Sequence, residues 1–168
     1  ELGRVYTPDL AIIASMESFA AAVAKMPIIK NSCWAEWTRD LRSEQLANWE
    51  PSIPMVGELD MHVVMKHLNQ VLPDDAILTN DAGNFSGWPQ RFYRYRQYRT
   101  QLAPTSGAMG YGIPAAIAAR AIYPDRIVIG FVGDGGAMMS GQEFAAAIQH
   151  GIDPIIIVIN NNMYGTIR

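Results

Sequence analysis

Two residues with hard oxygen ligands stand at the ends of apolar runs near the C-terminal end of this 168-residue chain. Asp134 follows the run Ile127 to Val132 through Gly133 and precedes Gly135-Gly136, while Asn161, flanked by Asn160 and Asn162, follows Ile155 to Ile159. Asn161 lies 27 positions after Asp134, room for one helix and one strand, which is the spacing of a βαβ crossover. Parallel strands joined this way place a carboxylate and a carboxamide at one edge of a sheet, where α/β proteins bind ligands. Such oxygens suit Mg²⁺, whose shell is commonly completed by phosphate oxygens. The Gly135-Gly136 pair lets a diphosphate approach backbone N–H groups closely. Either motif alone reads as a tight turn or a solvated loop; together, one crossover apart, they read as a site.

Two further segments could meet a ligand through backbone. Thr105-Ser-Gly-Ala-Met-Gly-Tyr-Gly-Ile-Pro-Ala-Ala-Ile-Ala-Ala119 opens on closely spaced glycines and continues into an Ala-rich run of high helix propensity. Its Gly107, Gly110 and Gly112 are spaced Gly-x-x-Gly-x-Gly, unlike the Gly-x-Gly-x-x-Gly of a dinucleotide fold. Met109 in that loop reads by itself as adaptable core filling. Thr79-Asn-Asp-Ala-Gly-Asn-Phe85 follows the short apolar run Ala76 to Leu78 and reads by itself as an Asx-type turn with Gly83 supplying a positive φ.

Taken together these residues resemble a known family. Gly133-Asp134-Gly135 followed by Asn160-Asn161 is similar to the cofactor motif of thiamine diphosphate enzymes. The wider wording, Gly133 to Phe144 and Asn160 to Arg168, most resembles the acetolactate synthase-like branch. The resemblance implies that the Asp134 and Asn161 side chains and the Met163 carbonyl bind Mg²⁺, which holds the diphosphate of thiamine diphosphate. It assigns Ala82, Gly83, Asn84 and Phe85 to the phosphate end, and Gly107, Met109, Gly133, Gly135, Gly136, Tyr164 and Gly165 to cofactor binding. At the place of Met109 the family carries a bulky residue that wedges between the two rings and enforces a bent cofactor. Acetolactate synthases usually have Gln-His where this chain has Asn84-Phe85.

The activity implied is that of a transferase which decarboxylates a 2-oxo acid such as pyruvate and ligates the carbanion to a second carbonyl. The alternatives are another 2-oxo acid decarboxylase, an acyloin lyase, or a cofactor-binding module without turnover. The family's domain continues beyond the place of Arg168, and its cofactor-activating Glu lies on a pyrimidine-binding domain of a partner subunit. The resemblance therefore implies a truncated domain, inactive alone, with no catalytic residue of its own; Glu143 is expected to pack or cap. It also implies a homodimer or tetramer for the intact protein, and no FAD in this chain.

Composition agrees with a buried α/β protein. The chain is 49% hydrophobic and 17% charged, enough for a core of ordinary single-domain size. Its net charge of −3 provides no general basic field. Arg91-Phe-Tyr-Arg-Tyr-Arg-Gln-Tyr-Arg99 alternates arginines with aromatics, a pattern that could clamp nucleic acid but in an acidic chain reads as a subunit contact. Cys33 is the single cysteine, so no internal disulfide forms, and a reducing, cytoplasmic setting is expected. It reads as packed rather than catalytic. No run spans a bilayer, and the start does not read as a signal peptide. His62, His67 and His150 lack metal-ligand company, and His150-Gly151 reads as a helix end with an αL cap.

The elements that must position these residues follow in order. Residues 1–30, with a strand Leu10 to Ala14 and a helix Glu17 to Lys25, read as the tail of a central domain, and 31–56, closed by Pro51 and Pro54, as an inter-domain helix and linker. From Gly57 the pattern becomes regular. Helices are expected at Leu59 to Val71, Gly87 to Tyr93, Gly110 to Ile122 and Gly141 to His150, and strands at Ala76 to Thr79, Gln97 to Ala103, Ile127 to Val132 and Ile155 to Ile159. This alternation predicts an α/β domain over 57–168, a three-layer parallel sheet with helices on both faces.

Overall fold

The computed structural model describes residues 2–30, 32–49, 59–163 and 165. The chain divides into two compact units, Glu1–Leu46 and Ala47–Arg168, so the division falls inside a helix and between the limits expected near 30 and 56. Asn31, Pro51, Pro54 and Gly57, on which those limits were read, lie outside the described residues.

The first unit carries α1 (Met16–Val23) and most of α2 (Ala35–Asn48), and neither helix has a buried residue. Ser15 starts α1, its hydroxyl accepting from the Ser18 N–H at 3.1 Å, as an N-cap does. The strand expected over Leu10 to Ala14 is irregular chain instead. A strand's N–H and C=O groups need a neighbouring ladder, and no described strand supplies one.

In the second unit a four-stranded parallel sheet has the order β2-β1-β3-β4. Its strands are β1 (Ile77–Asn80), β2 (Gln101–Leu102), β3 (Val128–Gly133) and β4 (Ile155–Ile159). Around them stand α3 (Met61–Val71), α4 (Gly87–Phe92), α5 (Gly112–Ile122), α6 (Asp134–Ser140) and α7 (Glu143–His150). Asp60 caps α3, its carboxylate accepting from the His62 N–H at 2.8 Å.

Side chains alternate across the pleat and separate two cores. Leu78, Ile129 and Phe131 pack with Met61, Met65 and Tyr93 on one face. Ile77 and Val128 pack with Ala116 and Ala119 of α5 on the other. Gly130 lets α5 come close, since a Cβ there would stand 3.2 Å from that of Ala116.

Two elements differ from expectation. The second strand keeps only Gln101–Leu102, because Arg99 takes a left-handed backbone, φ 60°, and the Thr100 hydroxyl donates to the Gln97 carbonyl at 2.7 Å. The chain after Gly133, read as a ligand loop, enters α6 directly, although glycine disfavours a helix by about 1 kcal/mol each. Gly135 and Gly136 are buried there, so tertiary packing overrides propensity.

Candidate functional site

The sheet order reverses at its centre. From β1 the chain moves outward to β2, then returns through α5 to β3 on the other side of β1. The carboxyl ends of β1 and β3 are therefore the switch point at which an open α/β sheet forms a crevice. The register Asn80↔Phe131 and Gly133↔Ile159 brings three strand ends side by side: Asp81 onward, Gly133-Asp134, and Asn160-Asn161.

Asp81 organises this edge. Its side chain is fully buried, with Oδ2 accepting from the Gly110 N–H at 2.8 Å and Oδ1 from the Tyr111 N–H at 2.9 Å. A buried carboxylate is tolerated when charge-assisted hydrogen bonds satisfy it. These two fasten the glycine loop to the end of β1, and the Thr79 hydroxyl adds a bond to the Gly112 carbonyl at 2.9 Å. The glycines on either side make room. A Cβ on Gly136 would overlap Asp81 Oδ2, and one on Gly112 would stand 2.6 Å from Val132 Cγ1.

By itself the segment around Asp81 reads as a turn. The signal in the sequence is a carboxylate directly after the short run Ala76-Ile-Leu-Thr-Asn80, upstream of a glycine-rich loop. The partner loop, nearly thirty residues on, is not readable from the turn itself.

A cleft of about 70 Å³ opens at these strand ends. From the end of β1 come Ala82, Gly83, Asn84 and Phe85, and from the glycine loop comes Met109. Gly133, Asp134, Gly135 and Gly136 form the β3 side; Asn161, Met163 and Gly165 stand beyond β4. The Phe85 ring lies over the glycine floor, with Cε1 only 2.7 Å from where a Gly83 Cβ would be and 3.0 Å from where a Gly133 Cβ would be. Gly83 has φ 152° and ψ 165°, a conformation essentially reserved for glycine.

Of the remaining candidates, Gly107 sits apart from the cleft in an exposed turn at φ 67°, its N–H bonded to the Pro104 carbonyl at 3.2 Å. Tyr164 lies outside the described residues.

The oxygen donors differ in how they are held. The Asn161 Oδ1 accepts from the Met163 N–H at 3.1 Å, an Asx turn that orients the carboxamide and leaves a second lone pair. The Asp134 carboxylate has no hydrogen bond or ion pair among the described residues. Also among the described residues, no cluster of three or more His, Cys, Asp or Glu could hold a metal. A transition-metal site of the usual kind is thus not what this edge offers. One carboxylate with amide oxygens is the donor chemistry of a hard cation that shares its shell with phosphate.

Other candidates fall elsewhere. Glu143 is half-buried at the start of α7 and does not line the cleft. Gly151 caps α7 in the left-handed conformation, φ 63° and ψ 33°, following His150. Cys33, read as packed, is exposed, and neither α1 nor α2 beside it in sequence has a buried residue that would mark a core there. The arginines of the Arg–aromatic stretch diverge. Arg91 bonds Asn48 Oδ1 at 2.7 Å, Arg94 lies over Trp49, Arg96 pairs with Asp74 at 3.2 Å, and Arg99 lies over Tyr98. No described helix is long and apolar enough to cross a membrane.

Residues 81–168 match the family model of the thiamine pyrophosphate enzyme C-terminal TPP-binding domain. The acetolactate synthase isozyme 1 large subunit of Escherichia coli is 32% identical over 170 residues, covering 100% of this chain and 30% of that protein. The acetolactate synthase large subunit of Lactococcus lactis is 28% identical over 169 residues, covering 100% of this chain and 29% of that protein. Pyruvate oxidase of Lactiplantibacillus plantarum is 30% identical over 175 residues, covering 100% of this chain and 28% of that protein. A solved thiamine diphosphate-dependent 4-hydroxybenzoylformate decarboxylase from Rhodococcus jostii superposes with a TM-score of 0.63 at 32% identity, over 70% of this chain and 22% of that one. The chain thus spans about 30% of the length of the curated relatives it matches.

Proposed function

This chain belongs to the thiamine pyrophosphate enzymes, and from that premise we propose that its strand-end cleft anchors thiamine diphosphate through Mg²⁺ in an acetolactate synthase-like enzyme. The observation that carries the reading is the Asp134 carboxylate, facing the cleft without a partner among the described residues, beside an Asn161 carboxamide pre-oriented by its own turn. These two side chains and the Met163 carbonyl would hold the metal, leaving positions for diphosphate oxygens. Gly83 and Gly133 make room for the Phe85 ring and Gly136 for the Asp81 carboxylate, so a diphosphate would meet this edge through backbone N–H groups rather than through the glycine Cβ faces.

The cofactor, when bound, supplies an electron sink for cleaving the bond between a carbonyl carbon and its carboxylate. The chain's own residues bind and orient. Asp81 holds the loop that carries Met109 over the cleft, where its side chain would support a bent cofactor, and the Phe85 ring shields the glycine floor from water. No glutamate lines the cleft among the described residues, so the acid that activates the aminopyrimidine would come from another domain, on a partner subunit of a homodimer or tetramer.

In the intact protein, the reaction we propose is decarboxylation of a 2-oxo acid such as pyruvate, followed by ligation to a second carbonyl. The similarity to acetolactate synthase large subunits along the whole chain supports it. Asn84-Phe85, in place of the usual Gln-His, and the likeness to a decarboxylase support a second reading, decarboxylation without ligation.

Titration of the chain with thiamine diphosphate and Mg²⁺ is expected to give saturable binding that Asp134→Ala removes. Equal binding by both proteins overturns the metal assignment. Product analysis of the intact protein with pyruvate separates the two reactions, and failure to release CO₂ discards pyruvate as substrate.

A further inference from the structure

Where the chain leaves β1 for the cleft, its carbonyls are tied down and its N–H groups are not. Asp81 is fixed at every polar group. Its N–H donates to the Phe131 carbonyl at 3.0 Å, its carboxylate takes the Gly110 and Tyr111 N–H groups, and its carbonyl accepts from Asn80 Nδ2 at 3.1 Å. Two residues on, the Gly83 carbonyl accepts twice from Ser86, from the hydroxyl at 2.7 Å and from the N–H at 3.0 Å. The N–H groups of Ala82, Gly83 and Asn84 have no partner among the described residues. Those three residues line the cleft, whereas Asn80 and Ser86 stand behind them and do not.

A trans peptide is planar, so its C=O and N–H point in opposite directions, and no described peptide bond is cis. Tying down the Asp81 carbonyl therefore sets the Ala82 N–H on the far side, and tying down the Gly83 carbonyl sets the Asn84 N–H. Control matters most at Gly83, which has no Cβ to resist rotation of its peptides. Asn80 supplies an independent observation. It is 2% exposed, and its Oδ1 is buried without a partner. A buried polar atom left unpaired costs stability, and an apolar side chain of similar volume would avoid that cost. The one bond the Asn80 amide makes is the bond to the Asp81 carbonyl.

We propose that Asn80 and Ser86 are positioning residues for the diphosphate: they hold the Asp81 and Gly83 carbonyls back, so that the Ala82 and Asn84 N–H groups are preset toward its oxygens. The inference rests on the reading of this cleft as the anchor of thiamine diphosphate and Mg²⁺. Neither side chain touches the cofactor. A carbonyl that swung into the cleft would present its negative end to an anion, whereas successive N–H groups form the concavity that anions prefer. Donors set in advance leave less ordering to be done when the anion arrives.

The test is calorimetric titration of the intact protein with inorganic pyrophosphate and, separately, with thiamine diphosphate, both in Mg²⁺. Asn80→Leu exchanges one buried unpaired oxygen, Oδ1, for another, the Asp81 carbonyl, which escapes burial by rotating into the cleft. It should weaken both probes by the same factor, about tenfold if the productive orientation falls to about one molecule in ten. Ser86→Ala keeps the Ser86 N–H bond and should weaken both by about threefold, while Ser86→Thr, which keeps the hydroxyl, should stay near wild type. Urea midpoints of the three variants should stay near that of the wild type, and the two Ser86 variants carry the test if Asn80→Leu does not fold. A loss of affinity that only accompanies a lower midpoint, a loss seen with thiamine diphosphate but not pyrophosphate, or a Ser86→Thr as weak as Ser86→Ala overturns the inference. Wild-type binding that Asp134→Ala removes but Asn80→Leu and Ser86→Ala leave intact overturns it while sparing the cofactor assignment. No binding of either probe by the wild type at millimolar concentration overturns both.

Discussion

At the residue scale, the site separates structural from chemical work between two aspartates. Asp81 is buried and spends both oxygens on the Gly110 and Tyr111 N–H groups, whereas Asp134 is half-buried, faces the cleft and spends neither on a described partner. Asp81→Asn would turn an amide donor toward one of those N–H groups and is expected to cost about 1–3 kcal/mol, read from the urea midpoint. Gly136→Ala presses a methyl into the same carboxylate and should cost a similar amount, about 1–3 kcal/mol. An unchanged midpoint for Gly136→Ala would contradict this account of the glycine. Asp134→Ala should behave in the opposite way, leaving stability within about 0.5 kcal/mol while removing Mg²⁺-dependent binding of thiamine diphosphate. A large fall in stability would show that its carboxylate has a structural partner.

At the element scale, α3 and the chain after α4 are what the sheet uses to build one face of its core. Met65 is fully buried between α3 and the sheet, and Met65→Ala is expected to cost about 2–5 kcal/mol in denaturant unfolding. Tyr95 packs beside this core with its hydroxyl buried and unpartnered among the described residues. Burial, and then the neighbouring Tyr93, hold its pKa well above the ordinary phenol value. The neutral form is therefore favoured by the fold, and that contribution is complete below the unfolded value of 10.0 and is lost as pH climbs above it. Tyr95→Phe should leave neutral-pH stability unchanged or higher, and should flatten the loss of melting temperature above about pH 10. A drop in stability at pH 7 would reveal a partner for the hydroxyl.

At the scale of the whole chain, β4 has a single neighbour, β3, among the described residues. Ile155 and Val158 of β4 are exposed, as are Met138 of α6 and Phe144 and Ile148 of α7. An unpaired apolar edge invites pairing with another chain, so sedimentation should show concentration-dependent association that Ile155→Lys reduces. A monodisperse monomer at every concentration would show that this edge is silent.

The strand and helix order of the second unit was readable from sequence, because fully buried strands read as apolar runs and helices as Ala-rich or amphipathic segments between turn residues. So was the pairing of Asp134 with Asn161, since a crossover has a characteristic length and both residues sit where strands must end. What sequence could not convey was which atoms compete for the same space. Gly135-Gly136 looked like a loop and is the buried first turn of α6, and Asp81 looked like a turn residue and is the fastening of a loop nearly thirty residues away. The strand expected over Leu10 to Ala14 required a ladder that local pattern cannot promise. Sequence by itself determined the kinds of chemical group present and the periodicity that brings them to one sheet edge. Tertiary structure alone decided which carboxylate is satisfied and which is left facing the cleft, because hydrogen-bond satisfaction depends on donors from distant segments arriving within about 3 Å.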